Sequence, residues 1–145
     1  MFVAEVFGVY AVPDVFGISP VVVLRAEDGR ILPIYIGIAE AVAIHSALKN
    51  EVSPRPMTHD LLVEVIKRLG ARVEKVVIDD LIDNTFYARL ILKAGDREVE
   101  IDARPSDSIA VAVRLAVPVY VEEKVLNEAC RDELPEDFVE FDKVL

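Results

Sequence analysis

Two carboxylates, an arginine and two hydroxyls fall within seven residues at Asp102-Ala103-Arg104-Pro105-Ser106-Asp107-Ser108. Hard divalent cations such as magnesium take oxygen ligands, and phosphodiester hydrolysis needs negative charge neutralised on the phosphoryl oxygens. Asp102 and Asp107 therefore read as candidate metal ligands. Arg104 reads as a phosphate contact, and Ser106 as a nearby hydroxyl donor. The plainer reading is a well-capped helix start, with Asp107 facing first-turn amides and Arg104 paired to Asp102 or Asp107. Spacing alone favours the plainer one.

Thr58-His59-Asp60 is the second cluster. A histidine beside a carboxylate can act as general base or metal ligand. Adjacent helical positions diverge by about 100°, so His59 and Asp60 do not readily serve one point. The alternative is a cap formed by Thr58 and Asp60 with His59 at the surface. Thr85 and Tyr87 lie two residues apart on one strand face, so their hydroxyls could floor a pocket or simply pack. Arg55, Lys67, Arg68, Arg72 and Lys75 are the densest basic supply. His45 sits in an apolar helix and reads as structural. With one cysteine, Cys130, and no histidine pair at helical spacing, a structural zinc site is not expected.

The elements that must position these groups follow from the pattern. Met1–Tyr10 reads as a strand and Ala11–Pro20, with two prolines and a glycine, as a loop. Val21–Ala26 and Arg30–Ile36 form a hairpin about Asp28-Gly29. Glu40–Lys49 has helical spacing, and Asn50–Met57 is an exposed connection. A helix begins at Thr58 as N-cap, carries the stripe Leu61, Leu62, Val65, Ile66, Leu69, and stops at Gly70. Ala71–Ile78 is a strand, Asp79–Asn84 a turn, and Thr85–Lys93 and Arg97–Asp102 strands about Gly95-Asp96. Pro105 suits the first position of a buried helix over Ile109–Leu115. Pro118–Val121 is a short strand and Glu122–Cys130 a short helix. The unit strand–turn–strand–helix occurs twice at an offset of 67 residues, placing Glu40 over Asp107 and Leu48 over Leu115.

The 145 residues suit one domain with a real core, residues 1–130, followed by an acidic tail, residues 131–145. The net charge of −10 makes long-range attraction to nucleic acid unexpected, so an anionic ligand needs a local patch or a metal. No apolar run is long enough to span a bilayer, and the N-terminus lacks a basic leader region. The lone cysteine suits a reducing cytoplasm.

Four ordered motifs resemble the bifunctional nuclease (BFN) domain family. They are Leu32-Pro33-Ile34-Tyr35-Ile36-Gly37 with Glu40-Ala41, Arg55-Pro56-Met57-Thr58-His59-Asp60-Leu61-Leu62, Thr85-Phe86-Tyr87-Ala88, and Ile101-Asp102-Ala103-Arg104-Pro105-Ser106-Asp107 continuing into Ser108-Ile109-Ala110. Ser108 replaces the alanine usual after that aspartate. The resemblance implies a compact α+β domain that self-associates as a dimer or higher oligomer, and nuclease action on DNA and RNA. The polar motif residues are then the candidates. Glu40, Asp102 and Asp107 would hold magnesium or manganese, and His59 or Asp60 would move a proton. Arg55 and Arg104 would contact phosphate, with Thr85, Tyr87 and Ser106 lining the substrate site.

The expected architecture is α+β, a single domain with a mixed, hairpin-rich sheet and three or four helices. The expected activity is metal-dependent phosphodiester hydrolysis. The alternatives are a non-catalytic oligomeric module that binds a small anionic ligand or a protein, and regulatory nucleic-acid binding without cleavage.

Overall fold

Alternating apolar residues from Phe2 onward build the first long strand, β1 (Phe2–Asp14). It turns back tightly into β2 (Gly17–Ala26). The loop expected over Ala11–Pro20 is therefore a hairpin tip. Asp14 Oδ1 accepts the Phe16 N–H at 2.8 Å, and Gly17 adopts φ +123°, which together close the turn. Pro13 and Pro20 lie towards this tip, opposite Ile18 and Ala11. A proline is tolerated where no ladder hydrogen bond is needed from its nitrogen.

The computed structural model describes residues 1–145. After β2 come β3 (Ile31–Tyr35), α1 (Ile38–Leu48), α2 (Thr58–Arg68), β4 (Ala71–Ile82), β5 (Thr85–Ala94) and β6 (Arg97–Ala103). Then follow α3 (Pro105–Leu115), β7 (Val119–Val121), α4 (Glu123–Ala129) and β8 (Val139–Glu140). The four helices accompany one eight-stranded sheet of order β3-β2-β1-β7-β4-β5-β6, with β8 continuing along β1. Only the β4–β7 pair is parallel, so the sheet is mixed. The chain is an α+β protein, and none of its helices is long and apolar enough to cross a membrane.

The strand order is palindromic about β7, and the internal repeat is the reason. β1-β2-β3-α1 and β4-β5-β6-α3 are the same unit, one strand longer than the sequence pattern shows. Both first strands carry a bulge at equivalent places, between Val6 and Gly8 and between Val73 and Lys75. The 67-residue offset holds for the outer strands and the helices. In the middle strands it becomes 68, because the Gly95-Asp96 turn is one residue shorter than its counterpart. Val22 and Leu24 then match Leu90 and Leu92, and all four face the core. The β4 strand also runs further than expected, to Ile82, leaving a two-residue turn at Asp83 and Asn84 with φ of 50° and 64°. Positive φ at both positions gives the twist that a tight hairpin needs.

α3 sits at the centre of the helical layer. Its Ile109, Ala110, Val111 and Ala112 are all buried, as an all-round apolar pattern requires. α2 differs from its sequence reading in two ways. Met57, not Thr58, is the N-cap, because the Asp60 carboxylate reaches back to the Met57 N–H at 3.0 Å. The buried face is His59, Val63 and Ile66, while Leu61, Val65 and Leu69 face outward. Polar anchors on the His59 side, described below, set this rotation.

The acidic tail is docked. β8 pairs with Tyr10 and Ala11, and Phe141 is 1% exposed in the core with the His45 ring edge-on at 5.6 Å. His45 is thus structural, packing on the tail.

Candidate functional site

The end of β6 and the start of α3 are shaped by Pro105. A residue before proline is driven to extended backbone, and Arg104 has φ −68° and ψ 145° as the helix cap. That geometry sends the Arg104 side chain outward, and it is 65% exposed. Its counterpart in the first unit is Gly37, also an extended cap, with φ −79° and ψ 164°. Three residues into each helix stand Glu40 and Asp107, so the sequence equivalence is also a spatial one.

These groups converge. Arg104 Nε donates to Asp107 Oδ2 at 2.9 Å, and Arg104 Nη2 donates to Glu40 Oε1 at 3.2 Å. His59 Nε2 donates to the second Asp107 oxygen at 2.9 Å, from a ring buried between α2 and α3. A Cβ at position 37 would run into the Glu40 carboxylate, so glycine there leaves the room that Glu40 occupies. Burial pushes the Asp107 carboxyl up, but hydrogen bonds from Arg104 and His59 outweigh it and hold the group below its ordinary value. The same bond to Asp107, with help from Glu40, raises Arg104. Asp107 is accordingly a fixed anion rather than a proton carrier at neutral pH.

Asp60 belongs to a second clasp. Arg114 Nε donates to Asp60 Oδ1 at 2.8 Å and Arg114 Nη1 to the Ala110 carbonyl at 2.9 Å. The Arg114 bond, then the Met57 amide, lower the Asp60 pKa. His59 and Asp60 therefore serve two separate points on α3, as their angular divergence requires. Neither offers a free carboxylate or an open ring for proton transfer.

A cleft of about 640 Å³ opens beside Arg104. Ile18 and Phe86, Gly37 and Arg104, and Ile38 and Pro105 line it in repeat-equivalent pairs, so it lies where the two units face each other. Thr85 and Ser106 also line it, Thr85 exposed and Ser106 buried. The structure thus gathers Glu40, Asp107 and His59 in one cluster with Arg104, and of these only Arg104 lines the cleft, together with Ser106 and Thr85. It leaves three others outside. Asp102 is exposed on β6 opposite Arg89 and has no polar partner. Arg55 stands exposed in the connection before α2. Tyr87 is half-exposed on β5 and does not line the cleft.

Two residues of importance carried no chemical signal of their own. Arg114 lies two helical turns beyond Asp107, and that spacing was the available clue. Gly37 closes the first motif and matters through its missing side chain.

No three His, Cys, Asp or Glu groups gather at one point. A magnesium ion needs no such cage, since one or two carboxylates with water and substrate phosphate suffice. Glu40 and Asp107 aim at a single cationic group, Arg104, and two carboxylates against one guanidinium leave the cluster acidic. Carboxylate oxygens are the donors that a hard divalent cation takes, and here the Arg104 guanidinium occupies one from each residue.

A repeated βββα scaffold with a charged cluster at the mouth of a cleft defines the class. Residues 22–133 match the bifunctional nuclease domain, and the chain belongs to that family. An uncharacterized protein of Mycobacterium tuberculosis is 50% identical over 112 residues, covering 77% of this chain and 66% of that protein. Bifunctional nuclease 1 of Oryza sativa subsp. japonica is 34% identical over 109 residues, covering 72% of this chain and 33% of its own length. Bifunctional nuclease 1 of Arabidopsis thaliana is 32% identical over 114 residues, covering 75% and 35%. The chain therefore spans under two thirds of the mycobacterial relative and about a third of the plant ones.

Proposed function

We propose that the cleft beside Arg104 hydrolyses phosphodiester bonds. Family membership and the plant relatives named as bifunctional nucleases support this reading. The observation that carries it is an exposed arginine held at the cleft mouth by two carboxylates. Arg104 binds a non-bridging phosphate oxygen. With Arg104 engaged on the phosphate, Glu40 and Asp107 would be the residues to hold magnesium or manganese. Such an ion, when bound, supplies charge neutralisation and lowers the pKa of a water. His59 fixes the Asp107 rotamer from behind and is a positioning residue. Glu40, anchored by one oxygen only, is placed to accept a proton from the attacking water. The Thr85 and Ser106 hydroxyls contact the substrate backbone. The acidic surface and the few cations at the cleft fit a substrate gripped at few phosphates.

The test is cleavage of DNA and RNA by purified protein with magnesium, manganese or EDTA, beside Arg104→Ala and Glu40→Gln. Loss of at least a hundredfold in both variants, with melting curves unchanged, is the expected result. Cleavage unaltered in both would remove this cluster from the reaction.

A second reading, a self-associating module, is favoured by the outward face of α2. Leu61, Val65 and Leu69 recur one turn apart and are exposed, Leu69 to 80%. Asp60 and Glu64 precede Lys67 and Arg68 on the same helix. An antiparallel α2 pair across a two-fold axis buries the stripe and sets acidic against basic ends, so the occupant is a second copy of this chain. The two readings are compatible, since α2 presents its other face to the cluster.

A further inference from the structure

We infer that the cleft is one end of a longer groove that takes single-stranded nucleic acid, with a base stacked on Tyr35 and phosphates at Arg104 and Arg131. This rests on the nuclease reading and specifies its substrate class.

The cleft beside Arg104 has a neighbour of about 580 Å³, and Tyr35, Asn84 and Phe86 line both. The two cavities therefore abut at these three residues. Arg104 lines the first part and Arg131 the second. Tyr35 stands between them at the end of the edge strand β3 and is 60% exposed as a residue. Its neighbour Ile34 points into the core, so strand alternation sends Tyr35 outward for good. Arg131 is placed by its backbone, which exchanges two hydrogen bonds with Ile31 at 2.8 and 2.7 Å. Its guanidinium makes no ion pair or hydrogen bond within the chain and is free for a ligand.

The chemistry of an exposed aromatic ring between two arginines selects an unstacked base. Every base has a π-face, and a single strand offers it while a duplex hides it. The groove also carries Glu128, and the chain has net charge −10, so a duplex with its denser phosphates gains little here. A strand held by two phosphates and one stacked base tolerates that acidity better.

Binding is measured by fluorescence anisotropy in low salt with calcium present, using labelled short thymidine oligonucleotides. The comparisons are the matching duplex and an oligonucleotide of equal length made of abasic residues. The single strand should bind roughly tenfold or more tightly than either competitor. Tyr35→Ala should lose roughly tenfold and Tyr35→Phe should keep wild-type affinity, since stacking needs the ring and not the hydroxyl. Arg131→Gln should weaken binding and lower the salt slope by about one. Equal binding of strand, duplex and abasic chain, or Tyr35→Ala within twofold of wild type, overturns the inference. Cleavage by wild type with Tyr35→Ala binding normally would sink the groove alone. Tight single-strand binding without any cleavage would instead sink the nuclease reading and leave the groove standing.

Discussion

Glu40 and Asp107 hold the same position in two equivalent helices and share one guanidinium, that of Arg104. Their surroundings differ nonetheless. Asp107 also supports the buried His59, whereas Glu40 has no second polar partner. Removing each should therefore cost different amounts. Asp107→Ala leaves a buried ring N–H unpaired and should destabilise by about 1–3 kcal/mol. Glu40→Ala breaks one bond to an exposed arginine and should cost under about 1 kcal/mol. Urea denaturation of both variants measures the difference, and equal losses would contradict the pairing described.

Gly37→Ala probes the same cluster without touching a charge. The backbone at Gly37 is ordinary extended chain, so alanine fits its φ and ψ. The added Cβ meets only the flexible end of Glu40. Stability should change by about 1 kcal/mol or less, while Glu40 is displaced from Arg104. Cleavage should then fall as it does in Glu40→Gln. A variant as active as wild type would show that the Glu40–Arg104 bond is dispensable.

Acid should loosen the α2–α3 contact. Asp60 is held below its ordinary 3.8 by Arg114 and the Met57 amide. Asp107 is also lowered, burial being outweighed by Arg104 and His59. A depressed folded pKa gives stability that is fully present above the unfolded value of 3.8 and is lost as pH falls through the folded one. The urea midpoint should thus hold as pH falls towards 3.8 and drop below it. Asp60→Asn should start lower and fall less steeply in acid. Parallel curves for the two proteins would exclude Asp60 from the acid response.

Ser108 is a local fault. Its hydroxyl is buried in α3 and has no hydrogen-bond partner. Ser108→Ala removes an unpaired polar atom and improves helix propensity, so it should stabilise by about 1 kcal/mol. Thermal melts would show this as a raised midpoint, and a lowered one would mean that the hydroxyl has a role.

Oligomeric state tests the outward face of α2. Leu61→Glu together with Leu69→Glu should convert a self-associated protein to monomer in light scattering, with the fold retained by circular dichroism. An unaltered mass would place any interface elsewhere.

Much of this was legible beforehand. Turn chemistry at Asp28-Gly29 and the Pro105 helix start are local signals, and local structure obeyed them. The repeat could be seen because strand, turn and helix spacing survives divergence of side chains. Ala11–Pro20 misled because proline punctuation outweighs pattern in a short window, while a pairing that needs no ladder hydrogen bond from the proline nitrogens is a tertiary fact. The α2 stripe misled for a related reason. Periodicity shows that a face is apolar, but the His59–Asp107 and Asp60–Arg114 contacts decide which face turns inward. Asp102 matched Asp107 in type and motif yet lies on a strand edge, five residues and a change of element away.

The central place of β7 has a kinetic consequence. Val3 pairs with Tyr120 and Val76 with Val119, so one short late strand joins the two repeated halves. Each half can form its meander from neighbouring hairpins, but their union waits for closure of nearly the whole chain. Such long-range closure slows folding more than it weakens the product. Refolding should therefore show early hairpin structure and a slow, unified final step, which substitutions in β7 would delay more than equal losses within either meander.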